Sequence, residues 1–357
     1  MKILHHITIF ALCIISFISC KTTPEMTKEE KIQHELAVLD SLLQDPAYAV
    51  LMAETLDAAY YTGTGQTPPP FLAKGEDTAV VAKSVREEKI AINLAGFYAL
   101  ECAIGYLCED KNITPVECLQ QILSNKAGDT AILLLDRFAN ATWKAGQPFR
   151  SPDRIKRPNF IGASGLSEDE IRKDTRQIIS AAAKLLPAMQ PAGSENTEQQ
   201  MQWLRKLLQD ISFATEIAAY QDSAYYAGEN KPAPPFITTE ESVAVVQKPV
   251  IEQKIATNLA GFYALECAVN YIVTTQNRIP SEVLQAIIED KLSAGEKNLF
   301  ARFANATWKA GQPFRGLERI TRDIFTPFYF LAKEDVEKDY VQLKAAAKKL
   351  LETLEKS

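Results

Sequence analysis

One stretch of this chain is written twice. Asn93 to Ala103 reads Asn-Leu-Ala-Gly-Phe-Tyr-Ala-Leu-Glu-Cys-Ala and recurs unchanged as Asn258 to Ala268, 165 residues further on. Arg137 to Arg150 obeys the same offset and returns residue for residue as Arg302 to Arg315. A repeat of this kind constrains the fold more than any composition can, because two copies of one unit have to be placed. Much of the sequence between the identical stretches has drifted.

Within each copy the apolar spacing is helical. Leu36, Leu39, Leu42 and Leu43 form a stripe between Lys28 and Tyr60, with Asp45-Pro46 as a break; Met201, Leu204, Leu207 and Leu208 are its counterpart. Each stripe leads into a loop too rich in proline for helix or inner strand, Tyr60-Tyr61 to Pro68-Pro69-Pro70-Phe71 and Tyr225-Tyr226 to Pro234-Pro235-Phe236. A long helix is predicted from about Ala79 to Asp110. Its only charge between Ile90 and Cys108 is Glu101, and the copy from Ile255 to Val273 has only Glu266. A membrane span has such a profile, but Asn93, Gly96, Glu101 and Gly105 suit lipid poorly, and a bundle's central helix is also apolar all round.

Thr114-Pro115-Val116-Glu117 supplies an N-cap, a first-turn proline and a capping-box glutamate. A further helix carries Leu133, Leu134, Phe138 and Trp143 and stops at Gly146 and Pro148. The last helix of the copy starts at Ser167-Glu168-Asp169-Glu170 and runs to about Leu186, matched by Ala332 to Leu354. No alternating strand pattern is visible. The fold class expected is all-α: two tandem helical-bundle repeats of about 165 residues, residues 28–192 and 193–357, with about five helices each and a link from Pro187 to Ser194.

The N-terminus reads as an address. Lys2 precedes an apolar run from Ile7 to Ile18, short of the roughly 20 residues a spanning helix needs. Phe17-Ile18-Ser19-Cys20 resembles the lipobox of bacterial lipoproteins, with Phe17 where Leu is usual. The resemblance implies a signal peptide over residues 1–19, lipidation of Cys20 with palmitate-type chains, and a tether over residues 20–27. It also implies a lipid-anchored place in the bacterial cell envelope, on the outer membrane, facing periplasm or surface. Loss of residues 1–19 removes Lys2 and no acid, leaving 38 basic and 45 acidic side chains, net −7. No basic run longer than a pair remains, which argues against nucleic acid as a partner.

The only histidines are His5, His6 and His34. Ser-His and Cys-His nucleophile systems, histidine zinc sites and His-ligated haem are thereby excluded. The chain likewise lacks the His-x-x-Glu motif of imelysin-like lipoproteins, which are also duplicated and helical. Neither a metal nor a cofactor is expected. Cys102 and Cys267 are repeat equivalents on very apolar segments and read as small buried side chains. Cys108 and Cys118 stand where the second copy has Val273 and Val283, which suggests a contacting pair and, in an exported protein, a disulfide.

Glu101 and Glu266 lie mid-helix in apolar surroundings, where an ionised carboxylate demands a partner. Candidates come from the other identical stretch: Arg137, Lys144 and Arg150, with Arg302, Lys309 and Arg315. With Asn93, Asn140, Trp143 and Gln147, and Asn258, Asn305, Trp308 and Gln312, they form either a structural network that fixes helix packing or one polar pocket per repeat. Tyr60, Tyr61 and Phe71, with Tyr225, Tyr226 and Phe236, are candidate contact loops, since aromatic residues on rigid loops make contact surfaces at low entropic cost.

These residues name no reaction. The function they suggest is a non-catalytic, lipid-anchored envelope lipoprotein that binds or scaffolds a protein or envelope component and meets the membrane through its lipid. A small-molecule carrier with a polar pocket in each repeat is one alternative. A carboxylate-dependent hydrolase or lyase using Glu101 and Glu266 is the other.

Overall fold

The computed structural model describes residues 26–63, 65–71, 79–83, 85–146, 161–189, 196–228, 231–233, 235, 244–248, 250–312 and 327–356, some of them by backbone alone. The expected signal segment and Cys20 lie outside the described residues, as do Gln147, Arg150, Arg315 and Phe236 and the side chains of Tyr60 and Tyr225. The fold is helical. The first half contributes α1 (Lys28–Gln44), α2 (Pro46–Gly63), α3 (Val85–Lys111), α4 (Pro115–Leu123), α5 (Asp129–Gly146) and α6 (Glu168–Met189). The second contributes α7 (Thr197–Gln209), α8 (Ile211–Gly228), α9 (Val250–Gln276), α10 (Pro280–Ile288), α11 (Ala294–Gly311) and α12 (Lys333–Leu354).

Local sequence sets most helix ends. Asp45 stops α1, and its carboxylate accepts the Ala47 N–H at 2.9 Å, so α2 leaves at 89° to α1. The Thr114–Glu117 capping box closes the start of α4 as expected, and Ser167 with Glu170 does the same for α6. Asn112 and Asn277, 165 residues apart, take positive φ just past α3 and α9, and Asn125 and Asp290 do so past α4 and α10. These are the left-handed turns that end helices, at residues whose short polar side chains tolerate them.

The expected start of the long helix is corrected. Ala79–Lys83 is a strand, β1, rather than the first turns of a helix, and it pairs antiparallel with β2 (Ala244–Lys248). The β-branched pairs Val80-Val81 and Val245-Val246 favour this geometry, but each strand's partner lies in the other half, beyond the reach of a local pattern. The two halves also pack into one another. α3 packs against α11 and α8 of the second half as well as α5 of its own, and α9 packs against α5 and α2 of the first half as well as α11. One large hydrophobic core among the described residues runs through both halves. The physical reason is the absence of a polar face on α3 and α9: a helix that is apolar all round has to be covered on every side, and each half supplies only part of that cover.

Residues 165 apart meet one another. Val81 pairs with Val246 at the centre of the ribbon, Ala91 clusters with Ala256, and the rings of Phe138 and Phe303 stack with centroids 3.9 Å apart and planes 1° from parallel. α3 also contains a segment with the length and hydropathy of a membrane span, Ile90–Lys111; 78% of its 18-residue apolar window is buried inside the fold, as in a core helix.

Candidate functional site

The two identical stretches build two polar nodes in this core, each using residues from both halves. Glu101 on α3 accepts a hydrogen bond from the Lys309 ammonium on α11 at 2.7 Å, and its other oxygen accepts the Phe328 N–H at 3.0 Å. Glu266 on α9 accepts from Lys144 on α5 at 2.9 Å and from the Ala163 N–H at 2.7 Å. The four charged side chains are between 0 and 3% exposed, so neither carboxylate can reach solvent. The partner demanded by the sequence is therefore lysine, and it is taken from the opposite half.

Cysteine and asparagine complete each node. The Cys102 thiol donates to Glu101 at 3.3 Å and lies 3.8 Å from the Asn305 carbonyl oxygen; Cys267 donates to Glu266 at 3.2 Å and lies 3.6 Å from that of Asn140. Burial, followed by the charge of the adjacent glutamate, holds both thiols well above their ordinary pKa. They are protonated donors and not nucleophiles. Burial alone would raise the Glu266 carboxyl, but the Lys144 ammonium, its hydrogen bond and those from Ala163 and Cys267 outweigh it and leave the carboxyl below its usual value.

The arginines sit in separate, dissimilar pairs. Arg137 donates through Nε to Asn270 at 2.7 Å and through Nη1 to Asp136. Arg302 donates to Asn298 at 2.8 Å and Glu109 at 2.5 Å, with its guanidinium 4.4 Å from the centre of the Phe328 ring. Neither touches a node glutamate through a described hydrogen bond. Gly105 makes room for Arg302: a Cβ there would lie 2.2 Å from Nη1.

The remaining candidates scatter. Asn93 and Asn258 stand two helical turns before the glutamates, and Asn258 donates to Asp57 at 3.4 Å. Trp143 and Trp308 are half-buried, and buried Gln312 donates to the Trp308 carbonyl at 3.1 Å. In the candidate contact loops, Tyr61, Phe71 and Tyr226 are half-buried, and Pro68, Pro69, Pro70, Pro232 and Pro235 are exposed. Both loops leave their helices by the same bond, Gln66 N–H to Tyr61 O at 2.8 Å and Lys231 N–H to Tyr226 O at 3.0 Å. Cys108 and Cys118 are two free, buried thiols rather than the expected disulfide. The neighbouring Cys118 thiol and then burial push the Cys108 thiol far up.

Sequence reasoning missed the backbone donors of Ala163 and Phe328, which leave no side-chain signal. It also missed Asp136, Glu109, Asn270 and Asn298, which differ between the halves. No potential metal cluster of three or more His, Cys, Asp or Glu side chains occurs among the described residues. In comparisons with known proteins, no family model, no curated protein and no solved structure matches the chain.

Proposed function

We propose that the protein is a non-catalytic lipoprotein of the bacterial envelope, held by lipid at Cys20, whose duplicated halves present two equivalent loop surfaces to one protein or envelope component. The duplication is read as a pseudo-dimer within one chain: equivalent residues such as Phe138 and Phe303, or Val81 and Val246, meet where a two-fold axis would pass. Such an axis sets the Tyr61–Phe71 and Tyr226–Pro235 loops in equivalent places, which suits bivalent capture.

The single observation that supports a binding role over chemistry at the identical stretches is the sealing of Glu101 and Glu266 against Lys309 and Lys144. A general base or a carrier's ligand-binding carboxylate has to meet its ligand, and these two are enclosed by protein. The interlocked halves also determine the test. Cutting them apart would remove the contacts between the halves, so the loops are to be varied in the full chain.

Pull-down from envelope extract is expected to weaken a few-fold for Tyr61→Ala with Phe71→Ala and for Tyr226→Ala. Combining the three is expected to reduce capture by far more than either set alone, about a hundredfold or more. Unchanged capture by the combined variant would sink the loop assignment. Labelling with a palmitate analogue that persists in Cys20→Ser would sink the anchor.

A further inference from the structure

A second polar feature lies outside both identical stretches. A cavity of about 310 Å³ opens beside α11 and α12, at the turn that follows α10. Its buried lining is apolar and aromatic, from Ala301, Phe328 and the ring of Tyr340, with half-buried Val336 beside them. Its more exposed lining is charged: Asp290, Lys297 and Glu337. At roughly 30 Å³ per water, the volume corresponds to about ten waters, the small end of ligand sites.

The charges are partly in use. Asp290, fixed at positive φ past α10, is bonded to Lys344 at 2.5 Å and lies 3.9 Å from Lys297. The Lys297 ammonium lies 5.7 Å from the centre of the Tyr340 ring and has no closer carboxylate among the described residues. Glu337 makes no ion pair among the described residues. Burial first, then the charges of Asp290 and Glu337, push the Tyr340 hydroxyl up to about 12. Asn298 is spoken for by Arg302 and Glu109 and acts as a fixed wall.

We propose that this cavity binds a small zwitterion with an apolar side chain, of the class of a free leucine or phenylalanine. The side chain lies against Phe328, Val336 and Tyr340, the carboxylate faces Lys297, and the ammonium faces Glu337. One site per chain follows, because the first half has Ile132, Arg172 and Thr175 where the second has Lys297, Glu337 and Tyr340. The site stands independently of the scaffold reading, and either can fail without the other.

The test is calorimetric titration of the full chain with L-leucine and L-phenylalanine, beside L-phenylalaninamide, which lacks the carboxylate, and 3-phenylpropionate, which lacks the ammonium. Saturable binding of at least one amino acid at one per chain is expected, with both analogues weaker by about tenfold. Lys297→Met should erase the preference over the amide, and Glu337→Gln the preference over phenylpropionate. Val336→Trp should fill the cavity and abolish binding while the melting curve stays cooperative. Absence of saturable binding, two sites per chain, or undiminished binding in a folded Val336→Trp protein would each overturn the assignment.

Discussion

Glu101 and Lys309 place opposite charges where neither is tolerated alone. Desolvation makes the pair as a whole a poor source of stability, yet removing one member leaves a buried charge with nothing to neutralise it. Glu101→Gln is therefore expected to destabilise by about 3 kcal/mol or more in urea unfolding, whereas Glu101→Leu combined with Lys309→Met should return most of that loss. A double variant that loses the sum of the Glu101→Leu and Lys309→Met losses would mean that the charges are not coupled. At the other node the sign of the pH dependence follows from Glu266. Its carboxyl is held below the usual 4.5 in the folded chain, so the unfolded chain binds more protons between the two values. The resulting stabilisation is complete above the usual value and is lost as pH falls through the lowered one. The urea midpoint of the wild type should rise with pH below about pH 5, and Glu266→Gln with Lys144→Met should flatten that rise. An unaltered slope would show that the node contributes nothing to acid sensitivity.

Helix contacts in this fold are made close by small residues and then spoken for by a particular neighbour. Gly105 lets α3 approach α11 closely enough for the Arg302 guanidinium to occupy the space a Cβ would need, at 2.2 Å. Gly105→Ala should cost about 1 to 3 kcal/mol by expelling that guanidinium from Glu109 and Phe328. Adding Arg302→Ala should make the alanine nearly neutral, as measured by a double-mutant cycle. The equivalent place on α9 is Asn270, which bonds Arg137 instead, so the two halves solved one packing problem differently. This is where sequence reading ran out. Helix positions, the Asp45-Pro46 break and the Thr114 cap were legible because they depend on neighbours in the chain. Glu101 and Glu266 were legible as carboxylates needing a cation because burial follows from the apolar run around them. Which cation, and from which half, was not, because Lys144 and Arg137 share one stretch and only the rotation of α5 against α9 separates them. The ribbon of β1 and β2 was hidden for the same reason, its pairing energy residing in a contact 165 residues away.

At the scale of the whole molecule, each half is an incomplete structure that the other completes. Residues 28–192 alone would expose the faces of α3 and α5 that α11 and α9 cover in the full chain. A second copy of the same fragment carries nearly the same faces. Lys144 of one copy would stand where Lys309 stands opposite Glu101 of the other, Phe138 would stack on its own copy, and Arg137 would meet Gly105 and Glu109 as Arg302 does now. The fragment is thus expected to sediment as a helical dimer at micromolar concentration, since faces this apolar behave as obligate interfaces. Lys144→Glu should break the dimer by setting two carboxylates together, and Lys144→Glu with Glu101→Lys should restore it by exchanging the charges. Residues 193–357 should dimerise less well, because Thr274 stands in the place of Glu109 and leaves Arg302 without its carboxylate. A folded monomer from either fragment would show that one half can close its own core. The interlocking would then be a consequence of tethering two finished bundles, whereas dimerisation rescued by charge exchange makes it the condition for folding at all.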